Sequence, residues 1–426
     1  MRRVCQFRHS GREGNDRRDT LCLDAAIIPC VPIQDLNEIV AVAERAPGTD
    51  SERRTADLLR RKILSTGRTA ELQAIYVHRS PEGVQALHAA LGVVASVASV
   101  YSPPAGFALL LLAIASCYLD LSSRFYLLRR LFFRRGSQNV VSPGNRPDAP
   151  ERVILVAGCD VPRTGWIKGA RSRELRERIP ERIRGTCGIY RTLLWLGLAP
   201  LIPLLGARLA GFDPVWLTAL QILPTVTLLI VAFFLVDSAL ASPSPGASEN
   251  ASGLTACLEL AKRLEGDSLR GCDLWVVFTG GSTCFGEGMK AFFADDRLRE
   301  AERRSTVVEL QSVGAGQICY RSSQGAGVGV APSPRLVAAL PDIEAVPEPV
   351  SGDAVAATSA GIDSITLTGL DRGLPQPWRS TMADLPETVD DRVLAQAVTV
   401  AEGLVRNLDI AALASPAESS PSRGEA

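Results

Sequence analysis

The chain has 426 residues, 46% hydrophobic and 22% charged, with 46 basic side chains against 46 acidic ones and only three histidines, His9, His78 and His88. That length holds one large domain or two smaller ones, and a net charge of zero argues against nucleic acid as a partner, because a basic excess supplies most of that affinity. Ten cysteines without a CxxC pair indicate neither a zinc ribbon nor a disulfide framework; reduced, buried thiols in a cytosolic setting fit them better.

Residues 1–34 mix Arg2, Arg3, Arg8, Arg12, Arg17 and Arg18 with acids and lack the uninterrupted apolar core of a signal peptide, so they read as a disordered arm or as an over-extended start. Over 35–82 the pattern becomes regular. Leu36, Ile39, Val40 and Val42 recur at helical spacing, and a turn follows at 45–49. A second helix comes next, with Ser51 as its expected cap, Ala56, Leu58, Leu59, Ile63 and Leu64 as its apolar face, and Gly67 as its end. Residues 71–77 read as a strand.

Two pairs of apolar segments come next, 84–121 and 189–239. The first pair runs over about 84–101 and 105–119 around Ser102-Pro103-Pro104; the second covers about 190–209 and 215–236 around Ala210-Gly211-Phe212-Asp213-Pro214. A spanning helix needs about 20 apolar residues. The fourth segment meets this with no charge before Asp237, and the third holds Pro200 and Pro203, which predict a kink. The first pair is short and rich in Ala, Gly and Ser with His88 inside, which leaves a buried hairpin in a soluble core open as its alternative. Arg124, Arg129, Arg130, Arg134 and Arg135 follow the second segment, and Arg171, Arg173, Arg176, Arg178, Arg182, Arg184 and Arg191 precede the third; the connectors inside the hairpins hold Arg208 alone. The positive-inside rule then predicts an integral membrane protein with its soluble domain on the cytosolic side. Residues 127–135 read either as an amphipathic helix in the headgroup layer or as a basic stop-transfer flank.

The segment 122–187 is a basic connector with a short buried strand at 152–157. Over 243–411 the pattern alternates: helix 252–264, strand 274–278, helix 288–293, strands 306–310 and 364–368, and helix 391–408. Such alternation predicts an α/β fold with three αβα layers and a mostly parallel mixed sheet, here interrupted by the two helical hairpins. The Ser/Pro-rich segment 412–426 reads as a disordered tail.

Five short motifs sit at the ends of these elements. They are Ala157-Gly158-Cys159-Asp160, Gly246-Ala247-Ser248-Glu249-Asn250-Ala251-Ser252-Gly253, Phe278-Thr279-Gly280-Gly281-Ser282-Thr283, Glu309-Leu310-Gln311-Ser312-Val313-Gly314 and Trp378-Arg379-Ser380-Thr381-Met382-Ala383-Asp384. Their order resembles the di-zinc aminopeptidases, the family-28 metallopeptidases, whose relatives include glutaminyl cyclases and non-catalytic ectodomains. The resemblance covers roughly 36–80, 150–165 and 243–410, with the hairpins as insertions, and Glu44-Arg45-Ala46-Pro47-Gly48-Thr49 followed by Glu52 and Ala56 looks like the family's entry segment. It implies zinc-ligand positions at Gly158, Glu249, Thr283, Gln311 and Ser380, and a general-base position at Ser282.

Residue by residue, that chemistry does not carry over. Zinc takes imidazole, thiolate or carboxylate, and hydrolysis needs a metal-bound water lowered to a pKa of about 7. Among the five positions only Glu249 offers a carboxylate, so no zinc cofactor is expected and the site is read as vestigial. Asp160, Glu249, Ser282, Thr283, Gln311 and Asp384 remain as a cleft for a peptide or small ligand. One alternative is a rebuilt or mononuclear metal site using Cys159, Cys284, Asp160 and Glu249, although neighbours on a strand point to opposite faces and free cysteine commonly acts as a small buried hydrophobe. A nucleophile with a histidine base would have to draw on His78 or His88. The run Thr279 to Ser282 has the composition of an anion-binding nest, and Gly325 to Val330 has a weak dinucleotide look. The expected function is therefore a membrane-anchored binding or scaffold protein without catalysis. Altered hydrolase chemistry and a purely structural role, with a protein partner held through the hairpins, are the alternatives.

Overall fold

The computed structural model describes residues 31, 33–122, 125–179, 188–265, 269–295, 303–325 and 329–414. The N-terminal arm before Val31, the tail from Ser415, Arg124, Arg182, Arg184 and the centre of the glycine-rich run at 326–328 lie outside them.

Twelve α-helices among the described residues are numbered in chain order. α1 (Ile33–Ala41) and α2 (Asp50–Ser65) lead into β1 (Glu71–His78), and α3 (Pro81–Tyr101) and α4 (Pro103–Leu121) form the first hairpin before β2 (Arg134–Ser142) and β3 (Glu151–Gly158). α5 (Ala170–Glu177) precedes the second hairpin, α6 (Ile189–Leu209) and α7 (Val215–Leu240). Then come α8 (Ser252–Arg263), β4 (Cys272–Thr279), α9 (Glu287–Phe293), β5 (Arg304–Leu310), β6 (Gln317–Ser323), α10 (Pro334–Ala339) and β7 (Glu344–Pro347), followed by α11 (Asp353–Ser359), β8 (Asp363–Leu370) and α12 (Asp391–Ala414).

All eight strands make one sheet in the order β1-β2-β4-β3-β5-β8-β6-β7. Its middle, β4-β3-β5-β8, is parallel, while β2 runs antiparallel to β1 and β4, and β6 antiparallel to β8. Strand β3 shows why three layers form: Val153, Leu155 and Ala157 pack into the core under α1, α2, α8 and α12, while Ile154 and Val156 pack under α9 and α11. A strand buried on both faces reads as a continuous apolar run because neither face meets water.

The expected strands and helices of 252–310 and 364–368 form, and several boundaries move. α1 begins at Ile33, inside the stretch assigned to the arm, and α12 continues to Ala414, into the expected tail. The cap of α2 is Thr49, whose Oγ1 accepts from Glu52 N at 3.3 Å; Ser51 already lies in the first helical turn. Residues 127–135 form no continuous amphipathic helix, and Arg130, Arg134 and Arg135 are exposed along them. A short 3-10 turn at Leu128–Leu131 leads into β2, and Arg129 is fully buried because Asp120 and Glu287 pair with it. Strands β2, β6 and β7 and helices α5, α10 and α11 are further elements of the structure.

The hairpin helices α3, α4, α6 and α7 pack as a four-helix bundle around Leu110, Leu198, Leu201, Leu205 and Leu228. A Cβ on Gly106 would come 2.4 Å from Ser99 Cα, so α3 and α4 can cross this closely only because that residue is glycine. All four helices are long and apolar enough to cross a membrane, and Val94, Leu111, Leu223 and Phe233 face outward from them. α6 runs through Pro200 and Pro203 as one helix.

Candidate functional site

In an open α/β sheet, ligands bind outside the carboxyl ends of the parallel strands. Gly158 ends β3, the 280–285 loop follows β4, and Gln311 follows β5. Glu249 lies in a π-helical turn, Ala247–Ala251, and Ser380 lies in the loop after β8. Gly158, Asp160, Glu249, Ser282, Thr283 and Gln311 converge around a space of about 20 Å³. Glu249, Thr283, Gln311 and Ser380 also face a wider cleft of about 300 Å³. Asp384 does not reach either space. It is fully buried behind the turn, where its carboxylate accepts from Ser248 N at 2.7 Å and Glu249 N at 3.1 Å. Burial and the nearby Glu249 push its pKa up to about 6.

An ion network that the motifs alone did not announce runs through the site. The Glu249 carboxylate accepts from Arg379 Nε at 3.2 Å and Ser380 N at 2.8 Å, and Ser380 Oγ donates to it at 2.9 Å. Arg379 Nη1 continues to Glu348 at 2.9 Å, Arg321 Nε reaches the other Glu348 oxygen at 2.7 Å, and Arg321 Nη1 donates to Gln311 Oε1 at 2.6 Å. Burial alone would raise Glu348, but Arg321 and Arg379 outweigh it and hold the carboxyl at about 2. Arg379 stands one residue before Ser380 in the motif already quoted, so its position was the available signal. Arg321 and Glu348 carried none, since β6 and the end of β7 bring them in from elsewhere.

Backbone donors of the expected nest are taken by the protein's own carboxylates. Gly281 N donates to Glu52 Oε1 at 2.7 Å, Ser282 N to Asp160 Oδ1 at 2.7 Å and Thr283 N to Asp160 Oδ2 at 2.9 Å. Burial, with Asp160 close by, pushes Glu52 up to about 8, and burial also raises Asp160. Behind them Asp353 accepts from Thr279 Oγ1 at 2.6 Å; burial and the adjacent Glu309 push it up to about 8. Asn250 ties the end of β3 in place, donating to Gly158 O at 2.6 Å and Asp160 O at 2.9 Å.

The residues present do not fit a pair of zinc ions. A Cβ at position 158 would come 2.4 Å from Ser282 Cβ, so there is no room there for the start of a histidine side chain. Glu249 is committed to a guanidinium and a hydroxyl. Cys159 and Cys284 are fully buried, burial pushes both thiols well above their ordinary value, and Cys284 Sγ donates to His78 O at 2.7 Å; neither offers a thiolate. His78 Nδ1 pairs with Glu287 at 2.7 Å and His88 bonds Val84 O and Ser116 Oγ inside the bundle, so neither lines the cleft. Among the described residues no group of three or more His, Cys, Asp or Glu side chains is placed to share a metal ion.

No protein-family model and no curated protein matches the sequence. Solved structures do match the fold. A zinc aminopeptidase from Bacillus subtilis superposes with a TM-score of 0.51 at 13% identity, over 90% of this chain and 96% of its own. The Bacteroides thetaiotaomicron glutaminyl cyclase bound to N-acetylhistamine gives 0.50 at 11% identity, over 89% of this chain and 99% of its own. The sheet domain therefore has the fold of the zinc aminopeptidases and glutaminyl cyclases.

Proposed function

We propose that this chain is a membrane-anchored relative of the zinc aminopeptidases that lacks di-zinc hydrolysis and uses its sheet-edge cleft to bind a ligand. The observation that carries this reading is the Glu249 pairing: the one carboxylate among the implied ligand positions is neutralised by Arg379 and fixed by Ser380. A guanidinium supplies the positive charge that a metal would otherwise bring to that carboxylate. Space points the same way. Metal pairs in hydrolases sit about 3.5–4 Å apart, whereas the gap between the strand ends is about 20 Å³, close to the minimum for a single water.

The bundle serves as the anchor, and the sheet domain lies on the cytosolic side. Arg171, Arg173, Arg176 and Arg178 flank the second hairpin at its base, and Arg208 at the opposite end is neutralised by Asp213 at 2.8 Å.

The test is to purify the protein from membranes, measure bound zinc by mass spectrometry, and assay a panel of aminoacyl and N-terminal glutaminyl substrates. The expected result is no zinc and no turnover. Stoichiometric zinc, or turnover abolished by a chelator, overturns the reading.

A further inference from the structure

The cleft does not end at the vestigial site. A second cavity of about 300 Å³ opens beside it, with Leu121, Leu194, Leu235 and Phe285 among its walls, so α4, α6 and α7 of the bundle supply its apolar side. Glu82, Arg176, Thr283, Val350 and Ser351 line both cavities and form the neck between them.

Polarity changes along this path. On the sheet side the walls carry Lys168, Arg176, Arg379, Glu249, Glu348 and Glu82, with Lys168 and Glu82 paired at 3.4 Å. Arg191 adds a cation on the bundle side. Buried Arg321 stands behind Gln311 and Glu348 on the cleft wall, and its Nη2 has no hydrogen-bond partner. Lys168, Arg176, Arg191 and Arg379 thus face three carboxylates along the path, and the bundle side, Arg191 and Gln85 aside, is largely hydrocarbon at the foot of helices long and apolar enough to span a bilayer.

We infer that the paired cavities hold a membrane lipid, its anionic headgroup among Lys168, Arg176 and Arg379 and its acyl chain against Leu121, Leu194 and Leu235. A ligand of this shape enters from the leaflet without crossing water. A soluble peptide would use the polar half alone and leave the apolar half without an occupant. The inference rests on the reading that the cleft binds rather than hydrolyses.

The test uses full-length protein in detergent micelles and pyrene-labelled phosphatidic acid, with unlabelled phosphatidic acid, phosphatidylcholine, glycerol 3-phosphate and a tripeptide as competitors. One labelled lipid should bind per chain, displaced by phosphatidic acid but not by the soluble competitors. Val350→Trp, which plugs the neck, and Leu194→Trp, which fills the apolar pocket from the opposite wall, should each weaken binding about tenfold or more, as the loss of a buried anchor does. Arg176→Gln should erode the preference for phosphatidic acid over phosphatidylcholine. Melting temperature identifies which tryptophan variants are folded, and either folded one suffices. The inference falls if both lipids bind alike and the plugs change nothing, which is surface lipid, or if glycerol 3-phosphate or the tripeptide displaces the probe. Absent lipid binding in a zinc-free, inactive protein overturns this inference alone, whereas zinc-dependent turnover overturns the reading beneath it.

Discussion

The helix bundle turns large apolar side chains outward as well as inward, Val94, Leu111, Leu223 and Phe233 among the outward ones, and buries Ser96, Ser99 and Gln221 beside its leucine core. The sheet domain also keeps large apolar side chains inside, Leu155, Val276 and Val308 among them. Its buried polar groups are of another kind. The bundle's inner polar contacts are largely between neutral groups at close helix crossings, whereas the sheet domain buries full charges, the Glu249–Arg379–Glu348–Arg321 chain and the carboxylates of Glu52, Asp160 and Asp353. On the proposed membrane-anchored reading, each half follows its solvent. Between helices in lipid, close approach and modest hydrogen bonds do the holding; in a water-facing domain apolar burial does it, and buried charges persist only where partners or neutralisation compensate them.

Where the two halves meet, this division breaks down, and the largest effect is expected there. Arg129 is fully buried, donates to both oxygens of Asp120 on α4 at 2.8 and 3.1 Å, and reaches Glu287 on α9 at 3.0 Å. Its guanidinium also lies over the rings of Tyr126 and Phe285. One side chain thus bolts the bundle to the sheet domain. Arg129→Leu leaves two carboxylates without their cation at a dry interface and should cost about 3–5 kcal/mol. Chemical denaturation in mixed micelles measures it. A loss under about 1 kcal/mol would mean that the halves are held by packing alone, since that is what a solvent-exposed ion pair is worth.

A second difference is pH dependence. Asp353 is pushed up to about 8 by burial and by Glu309, against an ordinary value of 3.8. Between those limits the unfolded chain has released a proton that the folded chain keeps, so this group favours folding most at low pH. That contribution is lost as pH rises through about 8. Asp353→Asn, which mimics the neutral acid, should match the parent near pH 5 and exceed it in stability near pH 9. Melting curves across that range provide the check, and a variant that is weaker at every pH would show that Asp353 works as an anion.

The sequence disclosed apolar elements far better than polar ones. β3 and β4 are near-continuous hydrophobic runs and all four bundle helices stand out by length and composition, so both were legible. β2 was not. It reads Arg-Arg-Gly-Ser-Gln-Asn-Val-Val-Ser, without alternation, and its buried Ser137 and Asn139 are satisfied by Glu52, Gln73 and Gly288, partners far away in the chain. The site divides in the same manner. Positions 158, 249, 283, 311 and 380 came from the family resemblance of the motifs that hold them, not from composition or periodicity. What fills the space between them was hidden, because Arg379 acquires its role only when Glu348, 31 residues away, is folded against it. Asp384, grouped with the cleft by its motif, proves to be a support for the turn, a distinction that only burial reveals.

The smallest expected effect sharpens the contrast most. Gln221 on α7 donates to Ser96 O and Ser96 Oγ, both at 2.7 Å, and to Ser99 Oγ at 3.2 Å, while accepting from Arg208 Nε at 3.1 Å. By count it is as well connected as Arg129. Its partners, however, have other outlets: Ser99 Oγ also donates to Ser96 O, Thr225 shares Ser96 Oγ, and Arg208 keeps Thr218 and Asp213. Hydrogen bonds between helices in lipid are worth roughly 0.6 kcal/mol each, because the separated helices also find partners. Gln221→Leu should therefore cost only about 1 kcal/mol, with no dependence on pH. The same denaturation experiment reads it beside Arg129→Leu. If the two losses proved equal, burial of charge would not be what separates the sheet domain from the bundle, and the number of hydrogen bonds alone would set the cost in both.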